Sequence, residues 1–165
     1  MEELVVYSDT NWASCRRTRR STSGGVVRLG GAGCFGTLCS WSRTQATVAL
    51  SSTEAEYIGA VTACSEGLFL QAMLGHCGYH IPMTILMDSS GARAVAHRQG
   101  AGRVKHLEMR SLWLQGVVLA KRVKIEAVGA KDNTADALTK ALPAQDIDRH
   151  LKGLGMVKNS GENEE

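Results

Sequence analysis

Residues 48–58 read Val48-Ala49-Leu50-Ser51-Ser52-Thr53-Glu54-Ala55-Glu56-Tyr57-Ile58 and predict the start of the longest helix in the chain. Ser51 and Glu54 stand three residues apart, which is the spacing of a capping box at a helix N-terminus. Apolar residues then recur every three to four positions as far as residue 74, as expected of an amphipathic helix. Gly75 or Gly78 is expected to end it.

Short β-favouring runs lie on both sides of this helix. The predicted strands are Leu4–Ser8, Gly24–Leu29, Cys39–Arg43, Met83–Met87 and Lys124–Val128. Further helices are predicted over Ser89–Arg98, Leu107–Lys121, Asn133–Leu142 and Pro143–Leu154. Strands come first and then alternate with helices, which favours one α/β domain with a mixed sheet over residues 1–157. The polar, acidic stretch 158–165 is expected to be a disordered tail.

The composition excludes several classes of protein. With 44% hydrophobic and 21% charged residues in 165, the chain has the balance of one globular domain rather than a disordered chain. No uninterrupted apolar run approaches the roughly 20 residues of a membrane span, and no membrane partner is expected. The N-terminus lacks a basic, signal-like start, and the five Cys form no C-x-x-C pair. An intracellular location, cytoplasmic or nuclear, is therefore expected.

The distribution of charge favours a polyanionic partner. Removing the five Glu at the two ends raises the net charge from +3 to +8. Four of the twelve Arg lie within residues 16–20. A basic body suits nucleic acid, although a solvated charged loop explains the charge alone equally well.

Acidic residues stand at positions where a carboxylate is costly or exposed at a sheet edge. Asp9 and Asp88 follow the first and fourth predicted strands, so they would meet at one edge if those strands are parallel neighbours. Each one alone could instead cap a turn or helix. Glu56 and Asp136 lie beside residues that are expected to be buried, where an acid needs a partner or a metal. Four such acids favour Mg²⁺ or Mn²⁺.

Several motifs occur together in one order. In chain order they are Tyr7–Ala13, Arg19–Gly24, Ser40–Ser42, residues 48–57, Lys105–Arg110 and Ala135–Lys140. In this order they resemble the ribonuclease H domain of Ty1/copia-type retrotransposon polyproteins over roughly residues 4–155. The resemblance implies a ribonuclease H-like fold, which is a five-stranded mixed sheet with the first three strands antiparallel and flanking helices.

The resemblance also implies hydrolysis of the RNA strand of RNA–DNA hybrids by two Mg²⁺ ions, with Mn²⁺ as a substitute. Asp9, Glu56, Asp88 and Asp136 match the catalytic, metal-binding acids, and Glu54 does not. Asp9 would bridge both ions, Glu56 and Asp88 would hold the ion on the leaving-group side, and Asp136 the ion on the nucleophile side. The expected products carry a 5′-phosphate and a 3′-hydroxyl.

Other residues are expected to bind the substrate or support the acids. The candidates for phosphate contacts are Arg16, Arg17, Arg19, Arg20, Arg43, Arg103 and Lys105. Those for a supporting part near the acids are Ser8, Trp12, Ser89 and His106. Trp12 could also stack on a base, whereas Trp41 and Trp113 are expected in the core.

One feature departs from cellular ribonucleases H, which often carry a His in the loop before the last helix. Here the loop is Gly129-Ala130-Lys131-Asp132-Asn133, and a lower rate is expected. Two other functions stay open, a weak or inactive hybrid-binding remnant and a DNA-directed nuclease on the same fold. The chain is expected to be monomeric, and either a stand-alone remnant or part of a polyprotein that contains a reverse transcriptase segment.

Overall fold

The computed structural model describes residues 2–31, 34–99 and 109–156, with the side chains of 109–111 left out. Its strands are β1 (Glu3–Asn11), β2 (Thr22–Gly31), β3 (Cys34–Thr44), β4 (Met83–Met87) and β5 (Lys124–Ala127). Its helices are α1 (Ser52–His76), α2 (Ser90–Ala96), α3 (Met109–Leu119), the 3₁₀ helix η1 (Thr134–Leu138) and α4 (Ala144–Gly153). The predicted tail lies outside the described residues.

The strands form one five-stranded sheet in the order β3-β2-β1-β4-β5. β1, β2 and β3 are antiparallel neighbours, whereas β4 is parallel to β1 and β5 is parallel to β4. This confirms the predicted mixed sheet with three antiparallel strands first. The parallel pair at the centre places the carboxyl ends of β1 and β4 at the same edge.

Both faces of the sheet are covered near β1 and β2. Val6 and Val27 belong to the main core, which α1, α2 and α3 complete on one face. Their neighbours Tyr7 and Val26 join a smaller cluster with residues of η1 and the end of α4 on the other face. Because successive residues of a strand point to opposite faces, each strand contributes to both clusters.

Helix α1 is long and apolar enough to cross a membrane by length and composition alone. No uninterrupted apolar run marks this helix in the sequence, because small residues and Glu66 interrupt the stretch without making it polar on average. Tyr57, Ala60, Ala63 and Cys64 of α1 lie in the main core. Packing within the domain accounts for part of the apolar composition, since 28% of the apolar stretch is buried and Phe69 and Met73 are exposed.

The structure corrects two sequence-based expectations. The helix predicted from Asn133 to Leu142 is only the 3₁₀ helix η1, which ends where the Thr139 amide donates to the Asp136 carbonyl at 3.2 Å. Trp113 is 43% exposed rather than in the core, whereas Trp41 is buried as expected. The first two residues of the helix predicted to begin at Leu107 lie outside the described residues.

Candidate active site

The pairing of β1 with β4 brings two carboxylates to one edge of the sheet. Tyr7 is paired with Leu86 in the parallel ladder, so the same register carried two residues further sets Asp9 beside Asp88. Asp88 is released from the capping role that the sequence left open, because Ser89 caps α2 by accepting the Ala92 amide at 3.2 Å. Asp9 therefore lies near the carboxyl end of β1, and Asp88 directly follows β4 without capping α2.

Helix α1 brings the third carboxylate. Ser51 accepts the Glu54 amide at 3.1 Å, and the Glu54 side chain accepts the Leu50 amide at 2.8 Å. This is a capping box whose return bond is made one residue before the cap, and it occupies Glu54 outside the acidic site. Glu56, two residues further on, instead faces the end of β1.

The close approach of α1 to β1 depends on Gly59. A Cβ atom at this position would collide with Thr10 Oγ1 and lie 3.5 Å from Ser8 Oγ. Gly59 lies one turn after Glu56 on the same helix, so the missing side chain lets this part of α1 reach the strand. No pattern in the sequence distinguishes Gly59 from the other glycines of the chain.

The carboxylates of Asp9, Glu56 and Asp88 offer oxygens that all lie within 4.8 Å of one another. We call these three residues the acidic trio. Burial raises the pKa of Glu56 to about 8, and the charges of Asp9 and Asp88 act in the same direction. Burial also raises the pKa of Asp9, against a lowering by the Thr139 hydrogen bond. Three acids this close repel when ionised, so the site favours a proton or a cation.

Asp136 lies on η1 outside the acidic trio, although its charge contributes to the raised pKa of Asp9. Its Oδ1 forms an ion pair with Lys140 Nζ at 2.5 Å, which raises the pKa of Lys140. Asn133 fastens the start of η1 to β1 by donating to the Ser8 carbonyl at 3.0 Å. Lys140 ends the motif Ala135–Lys140, and its ion pair with Asp136 was not predicted from the sequence.

The basic residues at 16–20 lie in the turn between β1 and β2, and all four Arg side chains are exposed. Two backbone hydrogen bonds join Cys15 with Arg19 and Arg20, and Arg19 adopts a left-handed φ of 57°. Arg43 is also exposed and pairs with Glu66 at 2.7 Å. Arg103, Lys105 and His106 lie outside the described residues.

Two of the predicted supporting residues lie near Asp9, Ser8 directly before it in β1 and Trp12 directly after the strand. Ser8 is fully buried, and its Oγ has no hydrogen-bond partner among the described residues. Trp12 is 47% exposed and donates from Nε1 to the Ala49 carbonyl at 3.0 Å. This bond ties the end of β1 to the segment before α1, and the exposed part of the ring leaves a stacking role open.

The chain is similar to segments of much longer proteins. It is 30% identical over 158 residues to the retrovirus-related Pol polyprotein from transposon TNT 1-94 of Nicotiana tabacum, covering 94% of this chain and 12% of the relative. It is also 30% identical over 159 residues to that from transposon RE2 of Arabidopsis thaliana, covering 94% and 11%. The chain thus spans about a tenth of the length of these relatives. No protein-family model matches.

Solved structures share the fold at low sequence identity. The N-terminal RNase H domain of rv2228c from Mycobacterium tuberculosis has a TM-score of 0.53 at 22% identity, covering 92% of this chain and 98% of that one. LC11-RNase H1 in complex with an RNA/DNA hybrid has a TM-score of 0.52 at 18% identity, covering 83% and 94%.

A larger protein contains a similar domain. The prototype foamy virus protease-reverse transcriptase has a TM-score of 0.53 at 14% identity, covering 87% of this chain and 21% of that one. The sheet order and the motifs agree with these likenesses. The chain is therefore similar along most of its length to a segment of the Pol polyproteins of copia-type retrotransposons, and it has the ribonuclease H fold.

Proposed function

We propose that this domain hydrolyses the RNA strand of RNA–DNA hybrids as a metal-dependent endoribonuclease, leaving 5′-phosphate and 3′-hydroxyl ends. The observation that carries the proposal is the convergence of Asp9, Glu56 and Asp88 within 4.8 Å at one sheet edge. Each acid comes from a different element, so the fold rather than local sequence brings them together. The ribonuclease H fold supports this activity by analogy.

The acidic trio fits a divalent cation. Glu56 Oε2 is buried and has no hydrogen-bond partner among the described residues, so one carboxylate oxygen remains available as a ligand. The donors are oxygens from three acids, which is the ligand chemistry of Mg²⁺ and Mn²⁺. A cation would also offset the repulsion that raises the pKa of Glu56.

The chemistry that a bound pair of Mg²⁺ or Mn²⁺ ions supplies is activation of a water and stabilisation of the departing 3′-oxygen. Asp9, Glu56 and Asp88 would hold the cations from β1, α1 and the end of β4. Asp136 is proposed as the remaining ligand. In this structure its carboxylate forms an ion pair with Lys140 at 2.5 Å, which a cation would have to replace.

The basic turn after β1 is proposed to bind the hybrid. Its four Arg are exposed and follow Asp9 in the chain by seven to eleven residues. They can neutralise phosphates but cannot bind a cation, so their effect would be salt-dependent and largely independent of sequence. Hybrid recognition would use groove shape and 2′-hydroxyls. Since the relatives are Pol polyproteins, we also propose a reverse transcriptase segment as a partner.

The test is cleavage of labelled RNA–DNA hybrid, RNA duplex and DNA duplex by the purified chain, each with Mg²⁺, Mn²⁺ or chelator. Metal-dependent cutting of the RNA strand of the hybrid alone is expected. Cutting of the DNA duplex would identify the domain as a DNA-directed nuclease. Hybrid binding without cutting in either metal would identify it as a binding module, and either result would refute the proposal.

A further inference from the structure

Thr139, which follows the last residue of η1, contacts the acidic trio through Asp9. Its Oγ1 donates a buried hydrogen bond to Asp9 Oδ2 and also lies 3.1 Å from the Asp136 carbonyl oxygen. A hydroxyl has a single proton, so the two acceptors compete for it. An ionised carboxylate is the stronger acceptor, and the proton of Thr139 is therefore directed to Asp9 when Asp9 is charged.

The sheet is shaped to receive Thr139. Gly24 of β2 lies opposite Asp9 in the antiparallel ladder, and a Cβ atom there would lie 2.8 Å from Thr139 Cγ2. The same Cβ would lie 2.9 Å from Leu138 Cβ. Only glycine leaves this space, so Gly24 permits η1 to approach the strand that carries Asp9.

The backbone of Thr139 is held as well. Asn11, near the end of β1, donates from Nδ2 to the Thr139 carbonyl at 3.4 Å. Thr139 and Asp9 are only 6% and 5% exposed. Water has little access to replace the hydroxyl, so the orientation of the Asp9 carboxylate depends on this contact.

We infer that Thr139 is a positioning residue, whose hydroxyl fixes the carboxylate of Asp9 in the orientation that binds a divalent cation together with Glu56 and Asp88. The inference rests on the proposed function, since it requires the acidic trio to bind metal. Thr139 does not touch the cation or the substrate. Partners that orient a metal ligand in this way typically change metal affinity by about 10- to 100-fold when they are removed.

The experiment measures Mn²⁺ binding to the full chain without substrate, by titration calorimetry at one fixed pH. Thr139→Val removes the hydroxyl at nearly constant volume, and Thr139→Ser retains it. Thr134→Val is the matched control, because Thr134 is a buried Thr at the start of η1 whose Oγ1 has no partner among the described residues. We expect Thr139→Val to weaken Mn²⁺ binding by about tenfold or more, and the other two variants to stay near wild type.

A second readout separates positioning from substrate binding. In Thr139→Val the Mn²⁺ concentration for half-maximal cleavage should rise, while the KM for hybrid should stay unchanged. Equal Mn²⁺ affinity in Thr139→Val and Thr134→Val would overturn the inference while leaving the proposed function intact. Equal loss in Thr139→Val and Thr139→Ser would also overturn it, since the effect would then not follow the hydroxyl. Absence of saturable Mn²⁺ binding in the wild type would refute the proposed function itself, and the inference with it.

Discussion

Replacing Glu56 by Gln should stabilise the metal-free protein at high pH and abolish hybrid cleavage. The folded protein holds the pKa of Glu56 at about 8, against 4.5 for the free side chain, because burial and two neighbouring acids disfavour its charge. Each pKa unit corresponds to about 1.4 kcal/mol, so the ionised group costs up to about 5 kcal/mol. Salt and water reaching the site reduce this, and about 2 to 4 kcal/mol is expected.

The dependence on pH has a defined sign. Below pH 4.5 Glu56 is protonated in both the folded and unfolded states and has no cost. Between pH 4.5 and about 8 the folded state binds more protons than the unfolded state, so the wild type loses stability as the pH rises. Above pH 8 the full cost is present. Gln carries no charge, so Glu56→Gln should avoid this loss.

The assay is urea unfolding in chelator at pH 5 and pH 8.5, for the wild type, Glu56→Gln and the control Glu54→Gln. Glu54 lies two residues earlier in the same helix and accepts the Leu50 amide, which Gln can also do. Glu54→Gln should therefore change stability by less than about 1 kcal/mol and leave cleavage intact. A stability difference between Glu56→Gln and wild type that is the same at both pH values would refute the reasoning. So would loss of cleavage in Glu54→Gln alone.

Three other results are expected. Asp9→Asn and Asp88→Asn should each abolish hybrid cleavage. Each variant should keep its thermal transition, because the change relieves repulsion in the trio. Near-wild-type cleavage by pure variant would contradict the metal assignment. Gly59→Ala should lower the stability of the fold by about 1 to 3 kcal/mol, because its Cβ collides with Thr10. The control Gly75→Ala in the same helix meets no atom within 4 Å and should not destabilise the fold. Equal melting temperatures of the two variants would contradict the packing argument. Replacing the four exposed Arg of the turn by Ala should weaken hybrid binding. Over a salt series, the slope of log affinity against log salt concentration should fall by somewhat under one unit per lost contact. An unchanged slope would mean that the hybrid binds elsewhere. The double variant at Arg16 and Arg17 should be compared with the double variant at Arg19 and Arg20.

The sequence predicted the sheet and two of its acids because these follow from local patterns. An apolar strand that ends in Asp9, and another that ends in Asp88, is visible without any knowledge of tertiary contacts. Glu56 was distinguished from Glu54 because the capping spacing accounts for only one of them. These predictions needed only the periodicity of a helix or strand and the position at which it begins or ends.

The contacts that hold the site together could not be predicted in the same way. Thr139 and Asp9 are separated by 130 residues, and Asn133 and Ser8 by 125. No periodic pattern links such pairs, since they meet only after η1 has docked on the sheet. The short length of η1 was missed for a related reason, because the bond from the Thr139 amide to the Asp136 carbonyl that ends it follows from no pattern in the sequence.

The acidic trio is held together by contacts other than those between its own members. Asp9, Glu56 and Asp88 repel one another when ionised, so the approach of their elements must be stabilised elsewhere. Much of that approach depends on small or neutral residues. Gly59 admits α1 to the end of β1, and Asn133 fastens η1 to the same strand. A site built in this way can keep its carboxylates close before a cation arrives, so metal binding need not rearrange the fold.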